Sequence, residues 1–129
     1  MEKLKVSEIE LTITNAEERL GFGGPFTGDV FIQKKHISVD CLLNNFVYNA
    51  DSKLLFFVKY HRINDYQYFT INFYRLDDDM VYEFYKEFDI IHITQFLNTN
   101  ELEIFLAFHD KSIDKRQIFY LDDEDFRRI

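Results

Sequence analysis

The sequence predicts a mainly β fold, an antiparallel meander that forms a β-sandwich or a half-open barrel, with at most one short helix near the N-terminus. From Asp29 onward, short segments rich in Phe, Tyr, Ile and Val alternate with polar stretches containing Asn and Asp, which is typical of consecutive strands. The 15 Phe and 8 Tyr bring the aromatic content to 18%, so we expect an aromatic core. A chain of 129 residues has the size of a single domain, 1–129.

The N-terminal fifth has a different composition. EIELTIT is a plausible strand, and Thr14-Asn-Ala-Glu17 has the capping-box form S/T-x-x-E, which predicts one or two helical turns through Leu20. Gly21 would then be the residue that ends the helix in a left-handed conformation.

All four glycines and the only proline lie in GFGGPFTG, residues 21–28, which raises the question of a phosphate-binding loop. Phe26 stands where a dinucleotide-binding G-x-G-x-x-G needs its third glycine, and Asp29 and Val30 replace the Lys and Ser/Thr of a Walker loop. A carboxylate there would repel phosphate. We therefore interpret the stretch as a turn whose Phe22 and Phe26 pack on the core or contact a partner.

Turn residues indicate where the strands pair. Asn49-Ala-Asp-Ser and Asn98-Thr-Asn predict hairpins between about 41–48 and 54–62, and between about 90–97 and 102–109. Three other polar stretches predict further turns: Asn64-Asp65, Asp77-Asp78-Asp79 and residues 110–116.

The segment YQYFTINFYRL alternates between an apolar and a more polar face, as expected for a strand with one buried face. The first face carries Phe69, Ile71 and Phe73, and the second carries Tyr68, Thr70, Asn72 and Tyr74. MVYEFYKEF alternates likewise, and its pattern assigns Glu83 and Glu87 to the polar face.

A weak internal repeat aligns LLFFVKYHR and INFYRLDDD with EIFLAFHD and RQIFYLDDED. Leu76-Asp77-Asp78 then matches Leu121-Asp122-Asp123, and His61 matches His109. A period in the forties is typical of a β-propeller blade, but the chain is too short to close a ring of at least four blades. We interpret the repeat as a duplicated antiparallel meander.

No motif predicts a metal, a cofactor or catalysis. The histidines His36, His61, His92 and His109 lack metal-binding spacing, although the repeat could bring His61 and His109 together. The acidic clusters lack the spacing of an EF-hand, and no G-x-S-x-G elbow occurs. Cys41, the only cysteine, opens an apolar strand, where a buried thiol is expected. The sequence therefore predicts a protein that is not an enzyme.

The charge of −8, from 15 basic and 23 acidic residues, disfavours nucleic acid and anionic membrane as partners and favours a basic protein. The N-terminus has no apolar run like that of a signal peptide, and no apolar stretch approaches a membrane span of about 18 residues. We therefore expect a cytoplasmic location.

This profile of a small, acidic, aromatic-rich β domain without catalytic motifs resembles the immunity proteins of bacterial polymorphic-toxin and contact-dependent growth-inhibition systems. The resemblance covers the whole chain and depends on no residue motif. It implies a cytoplasmic inhibitor that binds a cognate toxin domain, often a basic nuclease, and blocks its active site.

Charge and aromatic content predict the binding residues of such an inhibitor. The carboxylates that would imitate phosphates are Asp77, Asp78, Asp79, Asp122, Asp123 and Glu124. The aromatic anchors would be exposed Tyr66, Tyr68 or Tyr74. Two alternatives remain open: a structural or regulatory β module that packs on a larger protein or oligomerises through a strand edge, and a small-molecule-binding barrel with an internal cavity.

Overall fold

A computed structural model of the chain describes residues 2–19, 25–98, 100–107 and 115–129. Antiparallel strands dominate these ranges, which confirms the predicted fold class. The larger sheet contains, in spatial order, β1 (Glu2–Val6), β2 (Ile9–Glu18), β3 (Phe26–Ile32), β4 (Lys35–Asn49), β5 (Leu54–Ile63), β6 (Tyr66–Arg75), β7 (Met80–Phe84) and β11 (Phe126–Arg128). The smaller sheet contains β10 (Arg116–Tyr120), β9 (Glu101–Phe105) and β8 (His92–Asn98), also in spatial order.

The larger sheet is open, because β1 and β11 form its two edges and do not pair with each other. A short 3-10 helix, Leu121–Asp123, leads from β10 in the smaller sheet to β11 in the larger one. β11 then pairs antiparallel with β7, with Phe126 opposite Phe84 and Arg127 opposite Glu83. Among the described residues, no helix has the length and apolar character needed to span a membrane.

The first hydrophobic core lies between the two sheets. Its buried side chains include Phe56, Phe69, Ile71, Phe73 and Phe84 from the larger sheet, and Ile93, Leu102, Ile104 and Phe119 from the smaller one. The Phe84 ring contacts the rings of Phe73, Phe119 and Phe126 at centroid distances of 5.6, 5.1 and 5.5 Å. The predicted aromatic core is therefore confirmed.

A second core lies on the opposite face of the larger sheet. Its members from β2, β3 and β4 include Leu11, Val30 and Cys41, and those from β5 and β6 are Leu55, Phe57 and Tyr74. The pairing of β4 with β5 shifts register between Cys41 and Phe46, and such bulges bend a strand. The bend lets the N-terminal strands fold over part of β5 and β6, and the two sheets with the first core between them are consistent with the predicted antiparallel β-sandwich.

The predicted hairpins and turns agree with the strand pairings. The β4–β5 hairpin turns after Asn49, whose side-chain oxygen accepts hydrogen bonds from the amide and hydroxyl of Ser52, both at 2.9 Å. β8 and β9 form the second predicted hairpin, and the turns at Asn64 and at Asp79 have left-handed residues with φ of 56° and 58°. The predicted turn at 110–116 lies mostly outside the described residues.

The sequence repeat corresponds to two hairpins, β5–β6 and β9–β10, which continue into the two acidic stretches. The Leu76 amide after β6 donates to the carbonyl of Lys53, the residue before β5, at 3.1 Å. The Leu121 amide after β10 donates equivalently to the carbonyl of Asn100, the residue before β9, at 2.8 Å. The duplicated meander is therefore confirmed.

The helix predicted after Thr14 is wrong. Thr14 and Glu17 both lie in β2, where they pair with Asp29 and Thr27 of β3. Asn15 has a left-handed φ of 56° in a bulge between them, a geometry that Asn tolerates. Cross-strand pairing and the burial of the alternating apolar residues that precede Thr14 outweigh a local capping pattern.

The glycine-rich stretch is only partly described, because Gly21 and Phe22 lie outside the described residues. Gly28 has a structural explanation, since a Cβ there would lie 2.8 Å from Ile13 Cγ2. Phe26 is the first residue of β3 and is 48% exposed.

The one-sided burial predicted for β6 and β7 is also wrong. Thr70, Asn72 and Tyr74 are buried although they lie opposite Phe69, Ile71 and Phe73, and Glu83 is only 4% exposed. The reason is that the curled sheet covers part of this second face.

Phe84→Ala is expected to lower the free energy of unfolding by about 3–5 kcal/mol, because it leaves a cavity among three contacting rings. The matched variant Phe26→Ala removes a half-exposed ring and is expected to cost about 1 kcal/mol or less. Urea denaturation followed by circular dichroism measures both values. Equal losses would contradict the assignment of Phe84 to the core.

Candidate partner-binding face

The second face of β5, β6 and β7 is covered at one end and open at the other. The second core covers it around Phe57 and Tyr74. Towards the β5–β6 turn, Ile63, Tyr66 and Tyr85 are 59%, 52% and 55% exposed. We call this open end, formed by His61, Ile63, Tyr66, Tyr68 and Tyr85, the aromatic face.

Ring stacking orders the aromatic face. His61 and Tyr68 are paired across β5 and β6, and their rings stack at 4.7 Å with an interplanar angle of 6°. Tyr66 stacks on Tyr68 in turn at 5.1 Å. Because a strand holds each ring in place, a partner would meet a surface that loses little conformational entropy on binding.

A buried carboxylate lies at the boundary between the second core and the aromatic face. Glu83 Oε2 is 2.8 Å from both Thr70 Oγ1 and His61 Nε2. Arg127 of β11 donates from Nη2 to Glu83 Oε1 at 3.0 Å, and its guanidinium lies 5.3 Å from the centre of the Tyr85 ring. Glu83 therefore connects β7 to β5, β6 and β11. It also fixes His61 and Arg127, which border the open surface.

The hydrogen bonds that Glu83 accepts determine whether its carboxyl group is ionised. Burial by itself would raise the pKa of this carboxyl group, but the bonds from His61, Thr70 and Arg127 outweigh burial and lower the pKa to about 2. Such a carboxylate is a weak base at neutral pH and a strong hydrogen-bond acceptor. Its geometry suits the positioning of its neighbours better than proton transfer.

Asn72 extends this polar cluster towards the second core. Its Nδ2 donates to the carbonyl oxygen and to Oγ1 of Thr70, at 3.1 and 3.0 Å. Its Oδ1 is buried and has no hydrogen-bond partner among the described residues. A buried carbonyl of this kind is commonly bound by an ordered water.

Carboxylates surround the exposed tyrosines. The Tyr66 hydroxyl donates to Glu87 Oε1 at 2.7 Å, and this bond, followed by desolvation, raises the pKa of the Tyr66 phenol. Asp89 is close enough to contribute to the same shift, and the Asp65 side chain is fully exposed in the turn before Tyr66. The aromatic face therefore has an acidic border.

The first predicted acidic cluster forms ion pairs within the chain. Asp78 pairs with Arg75 at 2.8 Å, and the bonds from Arg75 and Tyr82 lower its pKa. Asp77 pairs with Lys53 at 3.4 Å, and Asp79 pairs with Lys35. These contacts neutralise much of the cluster's charge and fix the β6–β7 turn.

The second predicted acidic cluster has fewer ion pairs within the described part of the chain. Asp122 accepts a hydrogen bond from Asn100 at 2.9 Å, and Glu124 lies 3.7 Å from Lys86. Asp122 and Asp123 are exposed in the short 3-10 helix.

The two acidic clusters lie at the same end of the molecule. Asp77 contacts the β4–β5 turn through Lys53, and Asp122 contacts the β8–β9 turn through Asn100. These two turns line a common groove of about 600 Å³, with Ser52 on one side.

The exposure predicted for Tyr74 is wrong, whereas Tyr66 is exposed and Tyr68 is half-buried. Tyr74 is 6% exposed in the second core, and its hydroxyl donates to Asp79. Desolvation and that bond raise its pKa to about 12. Its ring is covered by the curled N-terminal strands and cannot act as an anchor.

The other candidate residues that the structure describes have contacts typical of structural residues. Cys41 is buried, and desolvation raises its pKa to about 12, as expected of an inert thiol. His92 Nδ1 lies 2.8 Å from the carbonyl oxygen of Ala107. His109 lies outside the described residues, so its predicted approach to His61 stays a prediction. Within the described ranges, no three His, Cys, Asp or Glu side chains form a group that could hold a metal ion.

Sequence reasoning missed the cluster of His61, Thr70, Glu83 and Arg127. One signal was present in the strand pattern, because the polar residues of β6 and β7 share a face, and Asn72 pairs directly with Glu83. Three polar residue types at neighbouring positions on two strands indicate a hydrogen-bonded cluster when that face is covered.

Comparisons with protein-family models, with curated proteins and with solved structures gave no match.

Glu83→Gln is expected to destabilise the protein most at neutral pH. A pKa lowered from 4.5 to about 2 means that the ionised form stabilises the fold above pH 4.5, and that this contribution disappears as the pH falls towards 2. The shift corresponds to about 3 kcal/mol. Urea denaturation between pH 7 and pH 2 should show the difference between the two proteins shrinking over that interval.

The exposed Glu87 provides a matched control for this substitution. Glu87→Gln should change the free energy of unfolding by about 1 kcal/mol or less at every pH. A constant difference between wild type and Glu83→Gln across the pH range would show that Glu83 is not held ionised by its neighbours.

Proposed function

We propose that this protein is an immunity protein, a non-catalytic inhibitor that binds a basic toxin domain in the cytoplasm and blocks its active site. A nuclease is the toxin type that fits best, because its active site carries the positive charge that binds phosphates. The observation that carries the proposal is the aromatic face, an exposed and ordered set of rings with an acidic border.

The aromatic face has the composition of a binding hot spot. Tyrosine anchors supply most of the binding energy in many protein interfaces because they bury a large area and still donate a hydrogen bond. Tyr66 and Tyr85 are more than half exposed, and stacking on Tyr68 and Arg127 limits the motion of their rings. A well-packed partner surface over them would exclude water.

Charge supports a basic partner. Fifteen of the 23 carboxylates lie in residues 60–129, the part of the chain that contains the aromatic face and both acidic clusters. Long-range attraction of this kind raises the association rate more than the final affinity. Asp122 and Asp123 contribute most directly, because the Asp77–Asp79 carboxylates have cationic partners within the chain.

The direct test uses the product of the gene immediately upstream, since an immunity gene normally lies directly downstream of its toxin. Stoichiometric capture of that protein, with loss of its toxic activity, is the expected result. Capture without loss of activity, or no capture at low salt, would overturn the proposal.

Asp122→Lys combined with Asp123→Lys is expected to slow association with the toxin about tenfold at low salt and to weaken the dependence of the rate on salt. The control is Glu8→Lys combined with Glu10→Lys, two exposed residues around the start of β2, which changes the net charge equally. Stopped-flow kinetics at two salt concentrations measure both. Equal slowing by the two variants would attribute the effect to net charge alone.

The alternative, an oligomerising β module, is favoured by one observation. β1 is an edge strand of the larger sheet with no partner on its outer side among the described residues, and such edges pair with other strands. Sedimentation of the isolated protein distinguishes the two functions, because the inhibitor is expected to be a monomer until the toxin is added.

A further inference from the structure

A recurring arrangement of three groups points to a ligand on the aromatic face. In the described part of the chain, three tyrosine hydroxyls donate to carboxylates: Tyr66 to Glu87, Tyr74 to Asp79 and Tyr82 to Asp78. In two of these pairs, a basic side chain of the same protein completes the arrangement.

The Tyr82–Asp78 pair shows the complete geometry. Arg75 pairs with Asp78 at 2.8 Å, its Nη2 donates to the Tyr82 hydroxyl at 2.5 Å, and its guanidinium lies 4.6 Å from the centre of the Tyr82 ring. The cation therefore contacts the carboxylate, the hydroxyl and the ring together. Lys35 likewise pairs with Asp79, which accepts the bond from Tyr74.

The Tyr66–Glu87 pair has no such cation among the described residues. Basic side chains of the neighbouring segments have other partners, since Arg127 pairs with Glu83, Arg62 donates to the carbonyl of Asn64 and Lys86 lies 3.7 Å from Glu124. One side of the Tyr66 ring is against Tyr68, yet the residue is 52% exposed. A ring surface and a carboxylate are therefore accessible side by side, with Asp89 adding negative charge nearby.

We propose that Tyr66 and Glu87 bind an arginine side chain of the partner, an inference that depends on the proposed function only for the identity of that partner. The guanidinium would lie on the free side of the Tyr66 ring and donate to Glu87, as Arg75 does with Tyr82 and Asp78. Arginine fits better than lysine because its planar group stacks on a ring while it donates to a carboxylate.

The test uses the isolated protein and three peptides, acetyl-Gly-Arg-Gly-amide and the same peptide with lysine or with citrulline in place of arginine. Nuclear magnetic resonance titration should show saturable shifts of the Tyr66 ring and Glu87 signals with the arginine peptide, with a dissociation constant in the millimolar range. The lysine peptide is expected to bind more weakly. The citrulline peptide, which has a similar shape and no charge, should cause no saturable shift.

Three variants test whether binding of the arginine peptide depends on Tyr66 and Glu87 or only on the negative charge of the protein. Glu87→Gln should weaken binding of the arginine peptide about tenfold, since a charge-assisted hydrogen bond is lost, and Tyr66→Leu should abolish the saturable shifts. The control Asp65→Asn removes an equal charge from the turn that precedes Tyr66 and should change the affinity less than twofold. Equal weakening by Glu87→Gln and Asp65→Asn, or shifts centred on Asp122, would overturn the proposal.

The outcome is independent of the toxin experiment. Arginine binding at Tyr66 without capture of the neighbouring gene product would refute the immunity function and leave the arginine site standing. Capture of the toxin with an affinity unchanged by Glu87→Gln would support the function and refute the arginine site.

Discussion

The bend of β4 is the constraint on which the rest of the structure depends. This strand has 15 residues, more than the usual length of a strand, and its pairing is interrupted where Asp40 takes a left-handed φ of 54° and again before Phe46. A straight β4 would leave the second face of the larger sheet in water. Because β4 bends, one sheet borders two cores, and the N-terminal strands cover only part of β5 and β6. The open remainder is the aromatic face.

Local pattern was sufficient to predict the strands, the hairpins and the duplicated meander, because alternation and turn residues act over a few positions. Burial of the second face could not be predicted, since it depends on strands 30 or more residues distant along the chain. Tyr74 and Glu83 illustrate the difference, because their sequence neighbours indicate a polar, exposed face. The helix expected at Thr14 failed for a related reason, as pairing with β3 outweighs local capping.

The amino-acid composition predicted the negative charge of the candidate site, but it did not predict how the charged side chains are arranged. A count of carboxylates cannot tell which of them have cationic partners, and the densest run, Asp77 to Asp79, is paired within the chain. The carboxylates at the aromatic face are scattered in sequence, and they come together only through the pairing of β5, β6 and β7. Glu87 was assigned to a polar face, but its contact with Tyr66 depends on a bridge between Phe69 and Phe88.

The pairing of β7 with β11 links the stability of the larger sheet to the order of the aromatic face. Glu83 lies in β7, and its arginine partner lies in a strand more than 40 residues later in the chain. Without β11, the Glu83 carboxylate would keep its contacts with Thr70 and His61 but lose the charge of Arg127, and β7 would have an unpaired edge. Arg127 pairs with Glu83 and also lies against the Tyr85 ring, so a change that weakens the docking of β11 is expected to lower the stability of the sheet and to loosen the aromatic face together.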